Sequence, residues 1–315
     1  MHEINWGLPV ISYLFLAGLG AGAVTVSASV LLRKGGFVGA SRFAIARCGA
    51  LIGPFPIMLG TFLLVFELGQ PFRALNLFKV INLSPMSIGS WFLAIFMVIS
   101  IVYAITFLPG SAGGPDDRFR KARRALAWVC IPFGIGVAIY TGILLGAMPA
   151  RPFWNSPILA GLFLLSALST GTAMILLFGA VFRRNSDDPA LRADYENSSY
   201  LLITTDALLI AGELLILFLF IMFAHLTIGD VRYAMATILP GGHLAVAFWG
   251  LVVISGLVIP FVVELFQIVP KLVYGKQFKT TLAMEVAVSS AILIGGFALR
   301  YIIVVAGQIT ASSAL

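Results

Sequence analysis

Six ionisable side chains lie inside or at the ends of long apolar stretches: Glu67, Asp206, Glu213, Glu264, Glu285 and Arg300. An ionisable group at mid-membrane costs roughly 2.5–3.5 kcal/mol, so it usually faces a bundle interior and serves pairing or function. Asp206 and Glu213 are seven residues apart, which places them on one helical face. Arg300 lies at a depth where it can pair with Glu213. Two interpretations stay open: a buried ion pair that fixes helix register, and part of a proton path through Asp206, Glu213 and Arg300.

Polar and aromatic groups also concentrate at the end of the fourth apolar stretch. Tyr140 lies about two turns below the surface, and Arg151, Phe153 and Trp154 follow in the next loop. A phenol at that depth, with a basic residue and rings above it, can hydrogen-bond the carbonyl or hydroxyl of a quinone. The alternative is an aromatic belt at the membrane interface, with Tyr140 bonded to a neighbouring backbone.

The sequence offers few ligands for a resident metal. Its two cysteines, Cys48 and Cys130, form no cluster-binding or haem-attachment motif. Its three histidines, His2, His225 and His243, fall at one surface, whereas a bis-histidine haem needs a facing pair inside the bilayer. We therefore expect neither haem nor an iron–sulfur cluster in this chain, and no metal site.

The elements that position these residues are predicted to be transmembrane helices. Of the chain's residues, 60% are hydrophobic and only 10% are charged. Soluble domains have about 25% charged residues, so this chain has too few polar residues to cover a water-facing surface. Apolar runs long enough to cross a bilayer recur along its length. The sequence predicts an all-α membrane protein with eight spans, near residues 8–32, 45–66, 86–109, 125–148, 157–182, 201–226, 243–269 and 284–308. The basic residues lie mostly in the loops and are not interleaved with exposed aromatic residues, so they indicate orientation rather than a nucleic-acid partner.

The distribution of lysine and arginine predicts the orientation. The connections after the first, third, fifth and seventh spans carry fifteen of them, and the opposite side carries four. Because basic residues accumulate in cytoplasmic loops, both termini are expected on the periplasmic side of a prokaryotic cytoplasmic (inner) membrane. Glu67, at the end of the second span, then lies at the outer side near Arg73.

Motifs along nearly the whole chain resemble the NrfD/PsrC family. The resemblance rests on their order and spacing: Tyr13 to Gly22, Phe66 to Arg73, Ser84 to Trp91, Tyr140 to Gly142, Arg151 to Pro157, Ser166 to Gly171, Phe248 to Gly250, Leu299 to Tyr301 and Ala306 to Gln308. Members are membrane subunits of nitrite, polysulfide, thiosulfate and tetrathionate respiratory complexes.

The resemblance implies two four-helix bundles, here residues 1–148 with a quinone site and residues 149–315 with the buried ionisable residues. It implies electron exchange between the quinone pool, such as menaquinone, and a ferredoxin-like iron–sulfur subunit on the periplasmic face. That subunit serves a molybdopterin or multihaem catalytic partner. Tyr140 matches a tyrosine that contacts the quinone ring, and Tyr13 falls where some members place a histidine.

The resulting hypothesis is a quinol-oxidising or quinone-reducing subunit of a respiratory complex. Tyr13 and Tyr140 hydrogen-bond the ring, Glu67 accepts a proton, and Arg151 and Trp154 complete the site beside the docking surface. Two alternatives come from other classes: a secondary transporter, which needs a polar site at mid-membrane, and a passive anchor for a catalytic subunit.

Overall fold

The computed structural model describes residues 6–33, 39–67, 84–108, 119–183, 189–227, 229–275, 278 and 280–310. Regular structure in these residues is entirely helical. Eleven α-helices and one π-helix follow in chain order: α1 (Leu8–Leu32), α2 (Gly39–Ile52), α3 (Pro54–Glu67), α4 (Pro85–Ile105), α5 (Arg120–Gly146), α6 (Ile158–Arg183), α7 (Pro189–Leu226), α8 (Asp230–Met235), α9 (Ala245–Ala247), the π-helix (Phe248–Val258), α10 (Ile259–Tyr274) and α11 (Leu282–Ile309).

Eight of these segments are long and apolar enough to cross a membrane. They run over Leu8–Leu32, Phe43–Val65, Met86–Ile105, Arg120–Gly146, Ile158–Val181, Ser199–Leu226, Ala245–Tyr274 and Leu282–Ile309. The all-helical class and the number of spans are therefore confirmed, and most span boundaries agree with the prediction to within a few residues.

Two spans differ from the single regular helices that the sequence predicts. The second span is built from α2 and α3, which are separated at Gly53 just before Pro54. The seventh span begins with α9 and an eleven-residue π-helix, and becomes α-helical only at Ile259. Pro260 is the second residue of that α-helix, which continues directly from the π-helix.

Helices α1 and α6 form the centre of the fold. The first span is the most buried of the eight, and α1 packs along α2, α3, α5 and α6. Small residues allow the approach: Gly22 lies against the backbone of Ala167, and Gly171 lies against Gly22 and Ala23. A Cβ at either glycine would overlap the opposing backbone, so the crossing of α1 and α6 requires glycine.

The remaining contacts connect the spans into two rings. The first four spans contact one another in sequence and close from the fourth to the first, and the last four do the same from the eighth to the fifth. The first and fifth spans also pack extensively on each other, so the division into two bundles stays a prediction. Trp6 and Gln308 join the two ends of the chain through hydrogen bonds of 3.0 and 3.3 Å.

Candidate quinone site and buried ionisable network

The structure brings Tyr13 of α1 and Tyr140 of α5 together. Their phenol groups face each other as hydrogen-bonding partners. Tyr13 is 2% exposed, whereas Tyr140 is half-buried. The pair contains two O–H groups, of which one is used between the rings, so the second remains available to donate to another oxygen.

Gly89 of α4 supports the ring of Tyr140. A Cβ at Gly89 would overlap the ring carbons of Tyr140. The same pattern continues along the interface of α4 and α5, where the ring of Phe92 lies on Gly136 and the ring of Phe96 approaches Gly134. Gly89 and Gly136 each leave room for one aromatic ring of the facing helix, whereas the nearest atom to a Cβ at Gly134 is the Thr25 hydroxyl of α1.

The phenol pair lies near one face of the membrane. Tyr13 is five residues from the start of α1 and Tyr140 is six from the end of α5. At 1.5 Å per residue these offsets place the two residues about 8 and 9 Å inside the ends of their helices. Both ends are on the side opposite the Lys/Arg-rich connections that follow the first, third, fifth and seventh spans.

Arg151 and Trp154 fasten the loop after α5 to the end of α11. The Arg151 Nη1 donates to the carbonyls of Gly307 (3.3 Å) and Gln308 (2.9 Å), and the Trp154 Nε1 donates to the carbonyl of Ile303 at 2.7 Å. A cation beside the last carbonyls of a helix is also favoured by the helix dipole. Trp154 is 2% exposed and its indole lies over Gly307. The structure does not bring either side chain to the phenol pair by any of these contacts.

The side chain of Glu67, like Arg73, lies outside the described residues. The backbone of Glu67 ends α3. Gly60, seven residues earlier on α3, packs beside the carbonyl of Tyr13. Seven helical residues correspond to about 10 Å, so the backbone of Glu67 lies about that far outward from the level of Tyr13.

Arg300 is completely buried and is linked to Glu213 through a serine. Its Nη1 donates to the Ser166 Oγ at 3.0 Å and to the Gly296 carbonyl at 2.9 Å. The Ser166 hydroxyl is also oriented toward the carboxylate of Glu213, and the two opposite charges attract each other. The guanidinium lies over the ring of Phe163 at 5.2 Å. The Ser166 hydroxyl thus lies between the two charged groups, and their predicted pairing stays a prediction.

Asp206 lies on the same helix as Glu213 and faces a third carboxylate. Asp206 and Glu264 are 0% and 1% exposed and close enough for their charges to repel. Neither carboxylate has a hydrogen-bond partner among the described residues, although the Ser169 hydroxyl of α6 faces Asp206. Asp206 therefore connects the Glu213–Arg300 pair to a further acidic group on α10.

Sequence reasoning missed Gly89 and Ser166 as parts of these two sites. Both fall inside stretches that carry the family resemblance, and that position was the only signal available for them. No group of three or more His, Cys, Asp or Glu in the described part of the chain is placed to hold a metal ion.

Comparison with known proteins gives a family match over nearly the whole chain and relatives of different coverage. Residues 1–312 match the family described as polysulphide reductase, NrfD. A component of the polysulfide reductase of Wolinella succinogenes is 33% identical over 98% of this chain and 95% of its own length. Protein NrfD of Escherichia coli is 28% identical over 98% of this chain and 96% of its own length. A selenate reductase subunit of Mesobacillus selenatarsenatis is 27% identical over 67% of this chain and 57% of its own. The chain therefore belongs to the polysulphide reductase NrfD family, as a multi-pass integral membrane protein.

Proposed function

We propose that this chain exchanges electrons with the membrane quinone pool as a subunit of a respiratory oxidoreductase complex, and that Tyr13 and Tyr140 bind the quinone ring. The observation that carries the proposal is the phenol pair near one membrane face, with the half-buried Tyr140 held over Gly89. A phenol both donates and accepts hydrogen bonds, so it suits the oxygens of a quinone and of a quinol. Two relatives are named as single components of a polysulfide reductase and a selenate reductase, which supports a subunit role.

The proposed reaction releases two electrons and two protons from each quinol, or consumes them in the reverse direction. Electrons pass to a ferredoxin-like iron–sulfur subunit docked on the face near Tyr140, and from it to a molybdopterin or multihaem catalytic partner. That face is periplasmic if the excess of Lys and Arg marks the cytoplasmic side. Arg151 and Trp154, which hold their loop against α11, then shape the docking surface beside the quinone site.

Replacing Tyr140 with phenylalanine tests the proposed site. The substitution removes the O–H that can donate to the quinone and keeps the ring over Gly89. We expect the affinity for a short-tailed naphthoquinol analogue to fall by about tenfold, equivalent to about 1.4 kcal/mol. Tyr13→Phe should weaken binding less, because Tyr140 keeps its own hydroxyl. Binding is measured by titration of the purified chain in lipid nanodiscs.

Tyr301→Phe is the matched control, because Tyr301 is 38% exposed on the last span. Saturable binding that is unchanged in Tyr140→Phe would move the quinone site elsewhere in the chain. No binding by the wild-type chain would favour the passive anchor. Substrate uptake by proteoliposomes that contain only this chain would favour the transporter.

Replacing Glu67 with glutamine tests the proposed proton acceptor. The amide keeps the size of the side chain but cannot take up the proton that leaves the quinol. We expect turnover in the assembled complex to fall more than the affinity for the analogue. Parallel titrations and steady-state rates of the same preparation check this, and an equal loss of both would remove Glu67 from the proton-accepting role.

A further inference from the structure

The last three spans bury more acidic groups than basic ones in the described part of the chain. Asp206, Glu213, Glu264 and Glu285 are each at most 3% exposed. The buried cation of these spans, among the described residues, is Arg300, which is linked to Glu213 through Ser166. An isolated ionised carboxylate in an apolar interior is costly and is normally paired or neutralised. Both carboxylate oxygens of Asp206 and of Glu264 lack a hydrogen-bond partner among the described residues, so these two groups need a further positive charge.

A small cavity lies between α10 and α11, toward the Lys/Arg-rich side. Its volume is about 10 Å³, roughly the room needed for one water molecule. Polar side chains lining it are Glu264, Gln267, Glu285 and Ser289. Both carboxylate oxygens of Glu264 and the Oε1 of Gln267 lack a hydrogen-bond partner among the described residues. Buried polar atoms of native proteins are bonded to protein or to water, so this cavity is built to hold a water-sized species.

The charged groups around Glu264 do not supply a counter-ion from the described residues. Asp206 faces it from α7, and Glu285 shares the cavity from α11. Lys271, two turns further along α10, places its ammonium 4.0 Å from the ring centre of Tyr200 and 5.9 Å from that of Phe278. Asp206 and Glu264 thus repel each other at this point, and a proton bound to Glu264 removes that repulsion with the least change in volume.

We propose that Glu264 and this cavity form a proton-loading site that opens toward the Lys/Arg-rich side. Glu264 holds a proton that exchanges through a water bound by Gln267, Glu285 and Ser289. Asp206 is the next acceptor, and Glu213 follows seven residues along α7, about 10 Å further into the membrane. The proposal extends the function given above, since the path would bring protons toward the spans that carry the quinone site, but its test is independent of quinone.

Infrared spectra of the purified full-length chain in nanodiscs test the site. A protonated carboxyl shows a carbonyl stretch that shifts in D₂O, and we expect Glu264→Gln to remove the band of one carboxyl at neutral pH. Ser289→Val should keep the band and slow its exchange in D₂O, since the added methyl groups fill the cavity. Gln267→Leu is a second variant with the same expected result. Glu196→Gln, at the Lys/Arg-rich end of α7 outside the apolar span, should leave the band unchanged.

Three results would overturn the proposal: no protonated band in the wild type, a band of undiminished intensity in Glu264→Gln, or a band that sodium chloride but not choline chloride depletes. The last would make the cavity a sodium site. Naphthoquinol titration of the same samples separates the two proposals. A sample that keeps the infrared band but fails to bind the analogue refutes only the quinone site, and the reverse result refutes only the proton site.

Discussion

Replacing Gly89 with alanine is expected to weaken binding of the naphthoquinol analogue by between about tenfold and a hundredfold. The new methyl group would occupy the space of the Tyr140 ring, so the ring must move away from its position beside Tyr13. Overpacking of this kind costs about 1–3 kcal/mol, and here the cost falls on the residue proposed to hold the quinone. The substitution thus displaces the binding group without removing it. Titration of the variant in nanodiscs, beside Tyr140→Phe, measures the effect.

Gly250→Ala is the control for this experiment, because nothing lies within 4 Å of a Cβ built at Gly250. It should bind the analogue as the wild type does. Thermal unfolding of both variants separates a displaced ring from a protein that does not fold. Undiminished binding by a folded Gly89→Ala variant would show that the position of the Tyr140 ring is irrelevant to the quinone, and would contradict the proposed site.

The number of spans could be predicted because the bilayer sets the length of every apolar run. The break before Pro54 and the π-helix that ends at Val258 could not, although both are near prolines. Hydropathy depends on the composition of the side chains, whereas these features depend on which carbonyl each backbone N–H reaches. A proline inside a span, such as Pro260 in the seventh, predicts a bend, but it does not reveal that the preceding eleven residues, Phe248–Val258, adopt the wider helix.

The ionisable residues of the candidate sites could be recognised because placing an ionisable side chain inside the bilayer costs free energy. The spacing of Asp206 and Glu213 predicted that they lie on one helix face. Their partners were harder to predict. A membrane serine commonly bonds back to its own helix, so nothing in the sequence indicates that Ser166 bridges Glu213 and Arg300. Gly89 carries no functional group at all. Its contribution is the space that it leaves for Tyr140, which depends on the packing of α4 on α5.

Replacing Arg300 with methionine is expected to lower the free energy of unfolding by about 3–5 kcal/mol, because it leaves a buried carboxylate without its cation. The variant loses the hydrogen bonds to Ser166 and Gly296 together with the attraction to Glu213. The double variant Arg300→Met/Glu213→Gln removes both charges and should be clearly more stable than Arg300→Met alone. The difference between them measures the coupling of the two charges.

Unfolding can be followed with a thiol-reactive fluorogenic dye, since Cys130 is buried and Cys48 is half-buried. Labelling of both thiols then reports separation of the helices as the temperature rises. Arg232→Gln, at an exposed arginine outside the spans, controls for the loss of a positive charge and should leave the midpoint of thermal unfolding unchanged.

If the double variant is no more stable than Arg300→Met, the two charges are not coupled, and Arg300 stabilises the fold through Ser166, Gly296 and the ring of Phe163. If the double variant recovers stability, Glu213 is bound to Arg300 at rest, and the proton proposed to enter at Glu264 must separate this pair before it can pass further.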